Sequence, residues 1–162
     1  MATTRYSLHP CGAENPTTNF PQPLKSGTHF VLGFDATTEE TCYWGGLAAW
    51  QGLSGALTAI VHYAMASATT GGVAFGVSIE ALTPGDSTDT DAGDSFDTEN
   101  TASDASVPGT AGYPDSVSVT LTNADSIAAG DQFRVRLARK VGDAADTASG
   151  DVYVFCVELR EA

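Results

Sequence analysis

Basic side chains are scarce in this sequence: seven lysines and arginines stand against twenty aspartates and glutamates, a formal net charge of −13. A nucleic-acid-binding protein needs a basic patch to displace counterions from phosphates. Nucleic acid is therefore set aside as a partner, and an anionic membrane surface is disfavoured for the same reason. Cysteine is scarce too. Cys11, Cys42 and Cys156 are odd in number and widely spaced, which fits neither a disulfide framework nor a zinc site. Cys156 lies in an apolar strand pattern and reads as a small buried hydrophobe. No run approaches the ~20 apolar residues of a membrane-spanning helix. The opening MATTRYSLHPCGAENP has no apolar core of the signal-peptide kind, so synthesis in a cytoplasm is expected. No segment sustains a helical stripe over three turns. Enzyme motifs are missing as well: no G-x-S-x-G, no phosphate-cradling glycine loop and no H-E-x-x-H. His9, His29 and His62 sit on separate segments. Neither a catalytic residue nor a cofactor is expected.

What is present is period-two alternation in a chain of one-domain length, 162 residues. A chain this long buries roughly 70% of its unfolded surface and needs neither disulfide nor metal to fold. Residues 1–27 show no periodicity and carry Pro10, Pro16, Pro21 and Pro23, each fixing φ and lacking a donor. They read as an extended arm, either a disordered terminus or a strap across a neighbouring subunit; Tyr6, Leu8, Phe20 and Leu24 give it something to bury. From residue 28 to 162 the alternation repeats. Phe30, Leu32 and Phe34 share a face; TCYWGGLA follows; Leu57, Ala59, Val61, Tyr63 and Met65 alternate with more polar or smaller residues. So do Val73, Phe75, Val77 and Ile79, then Val117, Val119 and Leu121, then Phe133, Val135 and Leu137. Gly45 and Gly46 inside a strand pattern suggest a bulge. A short strand near 95–101 completes about eight, and NADSIAAG has room for one helical turn. Eight antiparallel strands predict an all-β two-sheet sandwich, with a jelly roll as the leading topology. An immunoglobulin-like sandwich is the second choice, without the Cys…Trp…Cys pattern to support it.

The stretch RVRLARKVGDAADTASGDVYVFCVEL reads as a hairpin with GDAADTASGD as an exposed tip. In its second strand Val152, Val154 and Cys156 are apolar on one face, and Tyr153, Phe155, Val157 and Leu159 on the other. A sandwich strand with one wet face should not look like this; the N-terminal arm or a symmetry-related subunit could cover it, and an oligomer is the favoured expectation, with Tyr153 and Phe155 as interface candidates beside Tyr6, Leu8, Phe20 and Leu24. Arg134 and Arg136 share a strand face and are candidate carboxylate partners, within the subunit or across an interface. The acidic stretch 84–106 suggests hard-cation binding through Asp89, Asp91 and Asp94, although Gly93 is misplaced for an EF-hand loop; a solvated loop is the other reading. Tyr43, Trp44 and Trp50 are either sugar-stacking aromatics or core anchors.

The order FDATTEE, an aromatic strand, LTAIVHYAMASATTGGVAFGVSIEAL, SFDTENTASDA and SVSVTLTNADSIAAGDQFRVRLARKVGDAADTASGDVYVFCVEL resembles β-sandwich domains of tailed-bacteriophage virions. It is most similar in style to jelly-roll head decoration, or cement, proteins, over about residues 30–160; related domains occur in tails and fibres. The resemblance implies a non-enzymatic structural protein on the outer capsid surface. It implies the major capsid protein as partner and a homo-oligomer, a trimer being favoured. It carries no catalytic residues. The alternative expectation is a receptor- or glycan-binding module using Trp44 or Trp50.

Overall fold

Alternation becomes strand almost wherever the sequence shows it. The computed structural model describes residues 2–54, 56–87 and 89–162. The strands are β1 (Thr3–Leu8), β2 (Gln22–Ser26), β3 (His29–Phe34), β4 (Thr41–Ala48), β5 (Leu57–Met65), β6 (Val73–Leu82), β7 (Asn100–Asp104), β8 (Pro114–Leu121), β9 (Gln132–Arg139) and β10 (Val152–Glu161). One 3-10 turn, Pro10–Gly12, is the only helical element among the described residues. The first sheet runs β2-β3-β10-β5-β8, with β1 also on β10; the second runs β4-β9-β6-β7. Within these, β3-β10-β5-β8 and β4-β9-β6-β7 are the two four-stranded halves of a jelly roll. Their inner faces meet in a core holding Phe34, Tyr63, Phe75, Phe133, Leu137 and Leu159. The phase of each strand explains this burial: Val117, Val119 and Leu121 are buried while Ser116, Ser118 and Thr120 are exposed.

Residues 1–27 are extended, and two stretches of them are strands of the chain's own first sheet. Thr3 pairs with Glu161 and Leu8 with Val157, while β3 takes the other half of the same β10 edge through Val152, Tyr153 and Val154. The apolar residues of this segment explain the placement. Leu8 is buried in the core. Tyr6 meets Phe133 edge-on at 5.4 Å and Trp50 at 5.7 Å, and its hydroxyl donates to the Ala48 carbonyl. Phe20 and Leu24 are half-buried.

Three local expectations are corrected. The stretch 134–159 is not a hairpin: β9 lies inside the second sheet and β10 inside the first, so the connection crosses the sandwich. Its loop is anchored rather than a free tip, with Ala148 and Gly150 buried. The two apolar faces of the last strand are resolved by a β-bulge between Val154 and Cys156. The extra residue flips the phase, so Val152, Val154, Val157 and Leu159 all face the core. The two-faced pattern is thus no argument for a partner subunit. NADSIAAG forms no helix, because Asn and Asp side chains capture its backbone. Asn100 Oδ1 accepts from Asn123 N at 3.2 Å, Asp97 Oδ2 from Asp125 N at 2.9 Å and Asp131 Oδ2 from Ala128 N at 2.8 Å. The bulge expected at Gly45–Gly46 is there, between Trp44 and Leu47, with Gly46 at φ 66.

Arg139 ends β9 with its side chain inside the protein, 0% exposed. The Phe133, Val135, Leu137 phase continues to 139 and turns it inward. Its Nε and Nη2 donate to the two oxygens of Asp146 at 3.1 and 2.9 Å. Its remaining donors reach the carbonyls of Asp35, Ala148 and Gly150 at 3.2, 3.0 and 2.8 Å. Removing one member of such a buried pair strands the other charge, typically at about 3–5 kcal/mol. Arg139→Met and Asp146→Asn should each lower stability in urea denaturation by about this amount. The double variant should cost less than the sum, since the two side chains share one interaction. A fragment of residues 28–162 should lose its cooperative thermal transition, or melt far lower, in circular dichroism. It would expose the edge of β10 and leave buried Glu161 without Arg5.

Candidate functional site

The two outer faces of the sandwich are unlike. That of the second sheet is covered by the segment 94–99, which follows the acidic loop and crosses β9. Arg134 Nη1 donates to Glu80 Oε2 at 2.9 Å and Asp94 Oδ1 at 2.6 Å. Arg136 donates to Ser78 Oγ at 3.0 Å and lies 3.6 Å from Glu99. Lys140 bridges Glu39 at 2.6 Å and Glu99 at 2.9 Å. Phe96 stacks on Tyr43 at 5.6 Å, and the Arg134 guanidinium lies 5.2 Å from the Phe96 ring and 5.1 Å from that of Tyr43. Gly76 makes room for this cover: a Cβ there would meet the Glu99 carboxyl carbon at 2.3 Å. The interface candidates Arg134 and Arg136 are therefore committed to carboxylates of their own chain. Phe96, the one large apolar side chain in an otherwise acidic stretch, was the signal for the strap.

The calcium expectation finds no site. Asp94 is bound to Arg134, and Asp89 Oδ1 accepts from Asp91 N at 3.0 Å. Among the described residues no three His, Cys, Asp or Glu side chains come together as metal ligands. Of the tryptophans, Trp44 is buried and Trp50 half-buried. Trp44 is core, its Nε1 donating to the His9 carbonyl at 2.9 Å. Trp50 lies under the Arg5 guanidinium, 5.1 Å from its ring, and donates to Glu161 Oε2 at 3.1 Å. Buried Glu161 also accepts from Arg5 at 2.8 Å and Ser54 N at 2.8 Å, tying the two termini and the loop before β5 together.

The outer face of the first sheet is open. A groove of about 370 Å³ crosses it, lined by Ser26, His29, His62, Gly112, Pro114 and Phe155. Phe155 faces outward in phase with Tyr153, opposite buried Val152 and Val154, and the bulge beside it returns Val157 and Leu159 to the core. His29 meets the Phe155 ring edge-on at 5.9 Å. His62, placed outward by the phase of β5, is a third exposed. Its Nε2 lies 3.5 Å from Glu158 Oε1. Glu158 is held below the usual carboxylate range, chiefly by hydrogen bonds from Arg160 at 2.6 and 2.9 Å. The loop 110–113 is pinned to the end of β5 by Gly112 N donating to the Met65 carbonyl at 2.9 Å. It presents Tyr113, 62% exposed. Tyr153 is half-buried on β10. Of the sequence-level interface candidates, Leu24, Tyr153 and Phe155 thus share this sheet, while Tyr6 and Leu8 are spent inside the molecule.

Cys156 pairs across the strands with His62, next to Glu158, a grouping that resembles a nucleophile, base and acid. Its electrostatics oppose that chemistry. Burial first, then the Glu158 charge, push the Cys156 thiol up, so the thiolate is disfavoured. Cys42 is fully buried and its thiol is pushed up further by desolvation. Cys11 is exposed. Alkylation followed by mass spectrometry should therefore modify Cys11 first, Cys156 slowly, and Cys42 only on unfolding.

No family model matches this chain, and no curated protein does. Solved structures overlap it along most of its length. The C-terminal CBM6 of LamC, a laminarinase from the marine Zobellia galactanivorans, is 14% identical, with 98% of this chain and 100% of that one covered and a TM-score of 0.45. TmCBM27, a carbohydrate-binding module with specific mannan recognition, is 8% identical, with coverages of 100% and 99% and a TM-score of 0.47. The CBM28 module specific for non-crystalline cellulose is 10% identical, with coverages of 93% and 87% and a TM-score of 0.42. Overlaps at this level assign neither a family nor a ligand.

Proposed function

We propose that this chain is a non-catalytic recognition module and that the groove on its first sheet binds a glycan. The observation that carries this reading is the Phe155 ring, on the outer face of β10 beside its bulge, in a groove edged by His29, His62 and Ser26. A sugar ring has an apolar face and a rim of hydroxyls. An aromatic surface with a few polar groups around it matches both, and the volume lies in the ordinary range of ligand clefts. Most of the platform is rigid, since Ser26, His29, His62, Pro114 and Phe155 stand on β2, β3, β5, β8 and β10, and the loop that supplies Gly112 is pinned to β5. The groove takes over the role that the sequence suggested for Trp44 and Trp50.

A second reading, decoration of a phage capsid, is favoured by the segment order that resembles cement proteins and by the jelly roll that this resemblance implies. In that reading the open face of the first sheet docks on the major capsid protein. A homotrimer on the virion surface would multiply a modest contact.

Titration calorimetry against a glycan panel separates the two. Parent protein should bind a glycan, and Phe155→Ala should weaken it about tenfold, as the loss of an aromatic contact of about 1.4 kcal/mol predicts. Absence of binding across the panel, with co-sedimentation on phage heads, would replace the first reading by the second.

A further inference from the structure

A second concavity, of about 420 Å³, opens at the opposite end of β8 from the groove, between the loop before β5 and the loop after β8. Leu57 and Leu121 floor it and half-buried Ile127 walls it; Asp97, Asn123 and Ser126 supply polar groups. Its lip is held in an unusual shape. Asp125 and Ser126 are both left-handed, at φ 52 and 52. Non-glycine residues seldom adopt this backbone, and it persists only where the surroundings over-determine it. Here they do. Asn100, 7% exposed, takes the Thr122 hydroxyl at 2.8 Å as well as the Thr122 and Asn123 amides, and donates to the Asn123 carbonyl at 2.8 Å. Asp97 Oδ2 accepts from Asp125 N at 2.9 Å. The crevice is thus preformed before any ligand arrives.

Its chemistry selects a class of ligand. No lysine or arginine lines it and Asp97 does, so an anion is repelled. A neutral ring with hydroxyl donors and one apolar face fits, the donors toward Asp97 and the apolar face on Ile127. The path from the groove is suited to the same material: the exposed face of β8 between the two carries Ser116, Ser118 and Thr120. From Pro114 to Leu121 the strand spans about 23 Å at roughly 3.3 Å per residue, a distance that a few linked sugar rings cover.

We infer that this crevice is a second saccharide subsite, and that one uncharged polysaccharide chain runs along β8 from the Phe155 groove into it. The inference rests on the glycan reading of the groove. Engaging two sites with one chain raises apparent affinity through effective concentration, by up to about 10²–10⁴-fold.

The test uses glucose, mannose and linear neutral polymers of each, with full-length parent, Phe155→Ala and Ile127→Trp, which fills the crevice. Each variant should lower polymer affinity tenfold or more. In Phe155→Ala protein the monosaccharide should still shift the methyl resonances of Leu121 and Ile127. Polymer binding by folded Ile127→Trp as tight as the parent's, or no methyl shift at the crevice, would overturn the subsite while leaving the groove reading standing. Should Ile127→Trp fail to fold, the methyl shifts decide alone. Failure of every sugar to bind the parent would remove the glycan reading and this inference together.

Discussion

A guanidinium without water around it holds this sandwich in register. Arg139 leaves the second sheet and spends its donors on Asp146 and on carbonyls from the β3–β4 and β9–β10 connections. Two sheets that meet only through apolar side chains can slide, because dispersion contacts have little direction. A buried ion pair has direction, and it is satisfied in one arrangement only. The loop 140–151 therefore follows the charge rather than solvent. At the other end Glu161 does the same for the termini, gathering Arg5, Trp50 and Ser54. With both ends fixed by buried charge, the middle is free to be plain valine, leucine and phenylalanine.

This construction leaves the two outer faces of the sandwich unequally covered. The outer face of the second sheet is closed by an acidic strap whose carboxylates match the cations of β9, and its aromatics are stacked inside that closure. Among the described residues the first sheet has no comparable cover over Phe155, His62 and Tyr113. The whole chain carries a net charge of −13, yet no lysine, arginine or carboxylate lines the groove, whose surface includes the Phe155 ring, two histidines and Ser26.

Much of the fold was legible. The bounds of β4 and β6 follow from alternation alone, and Gly45–Gly46 announced their bulge through the residues that a bulge favours. The bulge at Phe155 was not legible, because valine, phenylalanine and cysteine give no sign of a skipped pairing. The inserted residue only shows once β5 and β3 lie alongside. That one residue produced the false two-faced strand. Arg139 was legible by phase, yet beside Arg134 and Arg136 it looks like a third surface cation. Period two separates it from them: even positions face out and 139 faces in. The strands of the first 27 residues lacked alternation, since β1 and β2 are edge strands flanked by prolines. Their pairing is dictated by the free edges of β10 and β3.

The pairing of β1 with β10 also sets how the molecule answers a pull. Thr3 lies opposite Glu161, so the two ends of the chain leave from the same point of the sheet. Tension applied through the termini falls first on the Thr3–Glu161 rung and then on each rung in turn, as a zip opens, rather than on all of them together as in shear. β1 would peel from β10 at low force. A module of this build yields early when it is strung through its ends.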